Sequence, residues 1–384
     1  MKTLRPLYKV LDSWLFFKYL SSLSILQNFL IMDTQNLFFS LLFFFLLSFF
    51  SGFHQVVEGS RVSSHFAFRH KKLFVFGDSY ADTGNNKDWA NSWKVPYGIT
   101  FPGKPAGRFS DGLVLSDFIA GYLELKTPIA YEWSKKLDHR LKYGVNFAYG
   151  GTGVFDTLAP EPNMTTQIGF LQQLLDDSVF LKWGLKTSVA LVSVAGNDYS
   201  NYITTNGSAA GFPAFISSVV SQLTENLKRI HDLGVRKIAV TALPPLGCLP
   251  RSTAQFSFQQ CNETENILVN LHNQLLVQAV NNLNEQTNSN SFVVLDIYNA
   301  FWTVFNQTQA HQVSAAFENP FQPCCVGVDA GSSCASVDEH GEKKYTVCSN
   351  PKTKFFWDTV HPTQEGWLAI YSTPDLQNSL KQLW

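Results

Sequence analysis

Five short apolar runs, rich in β-branched or aromatic residues, recur between positions 73 and 297 and are separated by longer segments. We predict that they form strands at 73–76, 145–148, 188–194, 237–242 and 292–297. The third and fourth runs have the continuous apolar character of strands covered on both faces. Strands that alternate with helical segments indicate an α/β protein with a mostly parallel sheet.

Two of the intervening segments have the period of an amphipathic helix. Apolar residues recur every three or four positions from Phe215 to Leu233, and Gly234 then provides a suitable end for that helix. A second helix is predicted over about 264–285. We assign to the core its apolar stripe of Ile267, Leu268, Leu271, Leu275, Val280 and Leu283. The irregular stretches 86–112 and 307–356 are expected to be long loops.

Three motifs follow directly on predicted strands: Gly-Asp-Ser at 77–79, Gly-Gly-Thr-Gly at 150–153 and Gly-Asn-Asp at 196–198. In open α/β sheets, ligands bind beyond the carboxyl ends of the strands. We therefore expect these motifs to meet at one edge of the sheet. A fourth motif, Asp-Thr-Val-His, occupies 358–361.

Together the four motifs contain the groups that serine acyl transfer requires. Ser79 can act as the nucleophile, although a helix N-cap is the alternative role for a serine at this point. His361 can act as its base, and Asp358 is close enough in sequence to orient the imidazole. The Ser79 N–H, the Gly151 N–H and the Asn197 amide fit an oxyanion hole. The glycines alternatively serve only a tight turn.

Other enzyme signatures are excluded by particular residues. Residues 98–104 match GxxxxGK, but Pro105 replaces the hydroxyl residue that would hold magnesium in a phosphate loop. The chain has neither GxSxG nor HExxH, so the common α/β-hydrolase and zinc-peptidase layouts are not supported. The net charge is −1 and no long basic run is present, so we expect no nucleic-acid partner.

The N-terminal 59 residues are interpreted as an extension that ends in a signal peptide. The charge-free run at 37–53 is shorter than a spanning helix needs, and Val57-Glu58-Gly59 after it resembles a small-residue cleavage site. Met32 is a candidate alternative start, and a signal anchor is the alternative interpretation of the run. We expect a single mature domain at 60–384 with no stable membrane span, located outside the cell.

Cysteine usage agrees with export. All six cysteines follow position 247, and we expect Cys248 to pair with Cys261 and the rest to form a second cluster: Cys324, Cys325, Cys334 and Cys348. A zinc site using three of these with His340 or Cys348 is the alternative, but no CxxC pair is present. Four N-glycosylation triplets begin at Asn163, Asn206, Asn262 and Asn306.

Four ordered blocks give this chain its resemblance to the SGNH hydrolase superfamily, and within it to the plant-type GDSL esterases/lipases. The blocks are FVFGDSYADTGNN, VNFAYGGTG, VAGND and FFWDTVHPT, and LPPLGCLP and GRFSDG are also similar to plant members. Tyr80 departs from the family, which has Leu there. The resemblance implies a three-layer α/β/α sandwich with flavodoxin-like strand order. It also implies that Ser79, His361 and Asp358 are nucleophile, base and orienting acid, with Ser79, Gly151 and Asn197 as oxyanion donors.

The expected function is hydrolysis of carboxylic esters, either lipids or small acyl esters, by a secreted glycoprotein through an acyl-serine intermediate. No metal or cofactor is expected. An acyltransferase that uses the same residues is the second hypothesis, and a non-catalytic secreted binding glycoprotein is the third. The complete set of catalytic residues argues against the third. The sequence does not define an oligomeric state.

Overall fold

The computed structural model describes residues 70–134, 136, 138–309 and 317–384, which belong to one compact unit, Ala67–Trp384. The expected extension and signal peptide at 1–59, including Met32, lie outside the described residues. Within the described ranges, no helix is both long and apolar enough to cross a bilayer.

A six-stranded sheet forms the centre of this unit, and every neighbouring pair of strands is parallel. Its strands are β1 (Lys72–Gly77), β2 (Ile129–Ala130), β3 (Val145–Asn146), β4 (Ser188–Ser193), β5 (Lys237–Thr241) and β6 (Phe292–Leu295). Their spatial order is β2-β3-β1-β4-β5-β6. Without the edge strand β2, this is the flavodoxin-like order, as expected. Sequence reasoning missed β2, which is too short to show a pattern.

Helices cover both faces of the sheet. They are α1 (Leu115–Tyr122), α2 (Met164–Asp176), α3 (Lys182–Leu185), α4 (Gly196–Thr204), α5 (Phe212–Leu233), α6 (Pro250–Thr253), α7 (Glu263–Thr287), α8 (Ile297–Gln309), α9 (Gln364–Tyr371) and α10 (Pro374–Leu380). Short 3₁₀ turns occupy Asn91–Trp93, Tyr131–Trp133, Asp138–Tyr143, Ala209–Gly211, Leu246–Cys248, Ala254–Phe256, Pro351–Thr353 and Lys381–Leu383.

Crossover handedness separates these helices into two layers. From β1 the chain moves one way across the sheet to β3, and afterwards it moves the other way through β4, β5 and β6. Right-handed crossovers therefore place α1 on one face and α2, α5 and α7 on the opposite face. The contacts agree, since α5 packs against α2 and α7, whereas α9 packs against α1 and α8. The expected three-layer α/β/α sandwich is confirmed.

The two helices predicted from periodicity are both present, but one residue was wrongly assigned to the core. Helix α5 ends at Leu233 and Gly234 has a φ of 117°, as its predicted role requires. In α7, Ile267 is 66% exposed, so its assignment to the core was wrong. The other predicted stripe residues do contact the core: Leu268, Leu271 and Leu275 are partly buried against it. The fully buried positions of the helix are Asn266, Val269, His272, Leu276, Val280 and Leu283. Two of these are polar and hydrogen-bonded, and a search for apolar residues alone cannot detect them.

The two stretches expected to be irregular meet in a second, smaller core. Strands β7 (Cys325–Gly327) and β8 (Tyr345–Val347) form an antiparallel pair within the stretch expected to be a loop. Tyr97, from the other stretch, is buried in this core with Trp357 and with three cysteines: Cys324, Cys325 and Cys334. Trp357, in the segment just before His361, therefore packs against residues of both stretches.

Candidate active site

Ser79 lies just beyond the carboxyl end of β1, where the main chain turns sharply. The Asp78 carbonyl accepts hydrogen bonds from the Ala81 and Asp82 N–H groups, which closes the turn. Gly77, which precedes this turn, has a φ of 145°, and a Cβ there would lie 2.1 Å from the Ser193 carbonyl oxygen. Glycine is needed because β1 and β4 approach so closely at this point. The Ser79 hydroxyl consequently emerges at the edge of the sheet.

His361 and Asp358 lie in one short turn that faces Ser79. The His361 Nε2 is 2.7 Å from the Ser79 Oγ, and its Nδ1 is 2.8 and 2.9 Å from the two oxygens of Asp358. Asp358 Oδ1 also accepts the N–H groups of Val360 and His361, each at 2.8 Å. The structure therefore brings Ser79, His361 and Asp358 together in the arrangement that general-base activation of a hydroxyl requires.

Tyr97 is a member of this network that sequence reasoning missed. Its hydroxyl donates to Asp358 Oδ2 at 2.7 Å, and its side chain is buried. Burial alone would raise the pKa of Asp358, but the His361 imidazole and the donated hydrogen bonds outweigh it, so this pKa is lowered. Burial also holds the pKa of Tyr97 well above its usual range, which keeps the phenol protonated as a donor. No signal in the sequence near Tyr97 marks this role.

Two aromatic side chains pack against the His361 imidazole. The Phe109 ring lies 5.1 Å from it, centroid to centroid, and the Tyr80 ring lies 5.8 Å away in an edge-on orientation. The Tyr80 hydroxyl also donates to the Val360 carbonyl at 2.9 Å. Tyr80 is the residue that departs from the family motif. Its hydrogen bond links the segment of Ser79 to the turn that carries His361.

Asn197 is the second residue of α4, at the carboxyl end of β4. Its amide donates to the Thr152 carbonyl at 2.9 Å, which leaves a second amide hydrogen, and its side chain lines the same cavity as Ser79. Gly151, the neighbour of Thr152, has a φ of 86°. Within the described part of the chain, neither the Ser79 N–H nor the Gly151 N–H has a hydrogen-bond partner. Asn197 thus lines the cavity beside Ser79, whereas Gly151 is not among the residues that line it.

Buried carboxylates connect the motif segments to one another. Asp198 accepts the Val154 and Phe155 N–H groups, each at 2.9 Å, and Asp82 accepts the Gly150 N–H at 3.1 Å. Burial raises the pKa of both carboxyls to about 6, although their hydrogen bonds oppose the shift. These contacts give a structural role to Asp82, which follows Ser79, and to Asp198, which follows Asn197.

Asp78 is a third buried carboxyl, directly before Ser79. Burial raises its pKa to about 7, which the Tyr80 N–H bond and the nearby His361 only partly oppose. The Asp78 carboxyl is thus balanced between its two protonation states near neutral pH.

A small cavity of about 40 Å³ opens beside Ser79. Polar groups at the strand ends and Arg251 form part of its lining, and the apolar part consists of Val194, Leu243, Leu246, Leu249, Ile297 and Val360. A hydroxyl nucleophile beside a cavity that is partly apolar suits an uncharged acyl group.

All six cysteines are paired. Disulfides join Cys248 to Cys261, Cys324 to Cys348 and Cys325 to Cys334. The four cysteines of the zinc alternative are therefore occupied, and no group of three potential metal ligands occurs in the described ranges. The Cys324 and Cys325 N–H groups donate to the Phe356 and Trp357 carbonyls at 2.9 and 2.6 Å, so two disulfides support the segment before His361.

The four glycosylation triplets lie in different surroundings. Asn206 and Asn306 are exposed. Asn163 and Asn262 are N-caps, and their amide groups donate to Asp156 and Glu265, respectively.

Comparison with known proteins gives matches to one family, to curated relatives and to solved structures. The family described as GDSL-like Lipase/Acylhydrolase matches residues 73–372. A GDSL esterase/lipase of Arabidopsis thaliana is 58% identical over 88% of this chain and 95% of its own length. A second from the same plant is 50% identical over 92% of this chain and 100% of its own. Among solved structures, an acetylxylan esterase from Geobacillus stearothermophilus matches 82% of this chain and 94% of its own, with 14% identity and a TM-score of 0.36.

Proposed function

This chain belongs to the GDSL-like lipase/acylhydrolase family and is a carboxylic-ester hydrolase, and on that premise we propose that it cleaves its ester through an acyl-Ser79 intermediate. One observation carries the proposal: the Ser79 Oγ is 2.7 Å from the His361 Nε2, whose ring is held on its other side by Asp358. A serine that acted only as a helix cap would not need this partner.

In the proposed first step, His361 Nε2 takes the Ser79 proton while Oγ attacks the ester carbonyl carbon. The Ser79 N–H, the Gly151 N–H and the Asn197 amide stabilise the negative charge that develops on the carbonyl oxygen. Asp358 stays ionised and stabilises the imidazolium. As the tetrahedral intermediate collapses, the bond to the alcohol breaks and His361 returns the proton to the departing oxygen.

In the second step, a water molecule attacks the acyl-serine carbonyl and loses its proton to His361. Collapse of this second intermediate releases the carboxylic acid and restores the Ser79 hydroxyl. An acyltransferase would differ only here, because an alcohol would take the place of water. Product analysis with and without a polyol acceptor distinguishes the two outcomes.

We further propose that the mature protein begins near residue 60 and acts outside the cell as a glycoprotein. Three disulfides support this proposal, because such bonds form and persist in oxidising compartments. Two exposed glycosylation triplets, Asn206 and Asn306, are consistent with it. N-terminal sequencing of the protein purified from its native source tests the cleavage, and a start before residue 37 would contradict it.

The central experiment measures hydrolysis of p-nitrophenyl esters by the wild type, Ser79→Ala and His361→Ala. We expect each substitution to lower kcat by roughly 10³- to 10⁶-fold. Ser217→Ala, at an exposed serine on α5, is the matched control. Fluorophosphonate labelling should be lost in Ser79→Ala and retained in the control. Near-normal turnover by either active-site variant would refute the assignment.

A further inference from the structure

We propose that the acyl chain of the substrate is bound across two adjoining cavities separated by Leu246, so that medium-length straight-chain acyl esters are preferred to acetyl esters. This inference rests on the proposed acyl-Ser79 chemistry and adds the class of acyl group that the site accepts.

The first cavity is too small to hold such a chain by itself. It begins at Ser79 and has a volume of about 40 Å³, which is room for about three water-sized groups. An acetyl or propionyl group fills it. A longer chain has to pass Leu246 or remain in water.

A second cavity, also of about 40 Å³, lies on the other side of Leu246. Leu246 and Arg251 line both cavities and so form the wall between them. The remaining lining is mainly apolar, with Ile203, Phe212, Leu268 and Val269 contributing. It offers room for about three further methylenes, so that the two cavities together hold an acyl chain of about five or six carbons.

The charged groups around the second cavity are already hydrogen-bonded to neighbouring side chains. Arg251 Nη1 donates to the Ser200 Oγ at 2.7 Å. Glu265 accepts from the Ser252 hydroxyl at 2.7 Å and from the Asn262 amide at 3.0 Å. Arg251 is exposed and its side chain forms no ion pair among the described residues, so it can move aside as a chain passes.

The position of His361 shows which part of the ester enters these cavities. His361 protonates the departing alcohol, yet its side chain does not line the first cavity, whereas Ser79 does. The alcohol also has to reach solvent after the first step, while the acyl group stays attached to Ser79. The cavity beside Ser79 is therefore the place for the acyl chain.

Variants at Ile203 test this placement by turnover. Ile203 lines only the second cavity and is 59% exposed, so Ile203→Asp introduces a charge there without disturbing the core. The matched control is Ile267→Asp, because Ile267 is 66% exposed and lines neither cavity. Initial rates are measured with p-nitrophenyl acetate, butyrate, hexanoate and octanoate.

In the wild type, we expect kcat/KM for octanoate to exceed that for acetate by about tenfold or more, since each buried methylene is worth about fourfold. Ile203→Asp should lower the octanoate-to-acetate ratio by about tenfold, and Ile267→Asp should leave it unchanged. Leu246→Ala, which removes the wall, should shift the optimum to longer chains. A wild type that prefers acetate, or an unchanged ratio in Ile203→Asp, would overturn the proposal.

A binding measurement separates this inference from the proposed chemistry. Isothermal titration of octanoate and acetate into Ser79→Ala should show binding of octanoate that is lost when Ile203→Asp is added. Octanoate binding without any ester turnover by the wild type would contradict the acyl-serine chemistry and support the acyl site. Equal binding with and without Ile203→Asp would overturn the acyl site, whatever the turnover.

Discussion

The Tyr97 hydroxyl donates a 2.7 Å hydrogen bond to Asp358 Oδ2, on the carboxylate that also holds the His361 imidazole. Asp358 accepts in addition two N–H groups from its own turn. The carboxylate is thereby held from both sides, by the histidine turn and by a buried tyrosine from a distant part of the chain. Tyr97 contacts neither the Ser79 hydroxyl nor the imidazole through this bond, so we class it as a positioning residue.

Tyr97→Phe removes this bond while it retains the ring. We expect kcat/KM to fall by about 10- to 100-fold, since a hydrogen bond to a charged group is worth about 1.5–3 kcal/mol. The midpoint of the acid limb in the pH profile of kcat/KM should also change, because the Asp358 carboxylate would interact differently with the imidazolium. Tyr345→Phe is the control, since the Tyr345 hydroxyl donates to the Val95 carbonyl in the same small core. Equal losses in the two variants would indicate a purely structural role.

Asn197→Ala removes one proposed oxyanion donor. We expect kcat to fall by about 10²- to 10³-fold with a smaller change in KM, because the donor acts mainly on the charge that develops in the transition state. Asn201→Ala, on the same helix but outside the cavity lining, serves as the control. A loss confined to KM would show that Asn197 binds the ground state and the transition state equally.

Asp78 should make the fold more stable in mild acid than in mild base. Burial raises its pKa from 3.8 to about 7, so between these values the folded state binds more protons than the unfolded state. The free energy of unfolding then decreases as pH rises, with a limiting slope of about 1.4 kcal/mol per pH unit for one group. Asp82 and Asp198, whose pKa values are raised to about 6, act in the same direction.

Urea unfolding at about pH 5 and about pH 8 tests this expectation. Asp78→Asn should reduce the stability difference between the two pH values, because asparagine cannot ionise. Asp156→Asn provides a comparison at an exposed carboxyl of the loop after Gly153. A difference that stays unchanged in Asp78→Asn would assign the pH dependence to other groups.

Glycan occupancy should differ among the four triplets. Asn206 and Asn306 are exposed, whereas the amide nitrogens of Asn163 and Asn262 already donate to carboxylates at 2.7 and 3.0 Å. A glycan replaces one hydrogen of this amide nitrogen, so at the second pair it competes with an existing side-chain contact beside a helix N-terminus. Peptide mapping of protein from a eukaryotic host should find glycans mainly at Asn206 and Asn306, and the opposite distribution would contradict the expectation.

Much of the site was predictable because its groups occur in short motifs at strand ends. Ser79 and Asn197 follow β1 and β4, which are adjacent in the sheet, so the strand order itself brings them together. Tyr97 was not predictable in this way, since it comes from an irregular segment and meets Asp358 only through the small cysteine-containing core. No spacing of neighbouring residues in the sequence indicates a contact between segments as distant as those of Tyr97 and Asp358.

The buried polar positions of α7 were missed for a similar reason. His272 is buried with its Nδ1 2.6 Å from the Tyr199 hydroxyl, and burial lowers its pKa to about 3, so it remains neutral in the core. A polar residue that is satisfied internally occupies a core position without contributing to an apolar pattern. The length of the helix and its end were correct because they depend on local signals.

The bond between Ser79 Oγ and His361 Nε2 joins residues 282 positions apart in the chain. During synthesis, the nucleophile therefore leaves the ribosome long before its base has been translated. A nascent or prematurely terminated chain can carry a complete β1 and Ser79 and still lack the imidazole that activates the hydroxyl. Competence for ester cleavage therefore requires that the chain is translated through His361 and that this residue is brought back to Ser79 by folding.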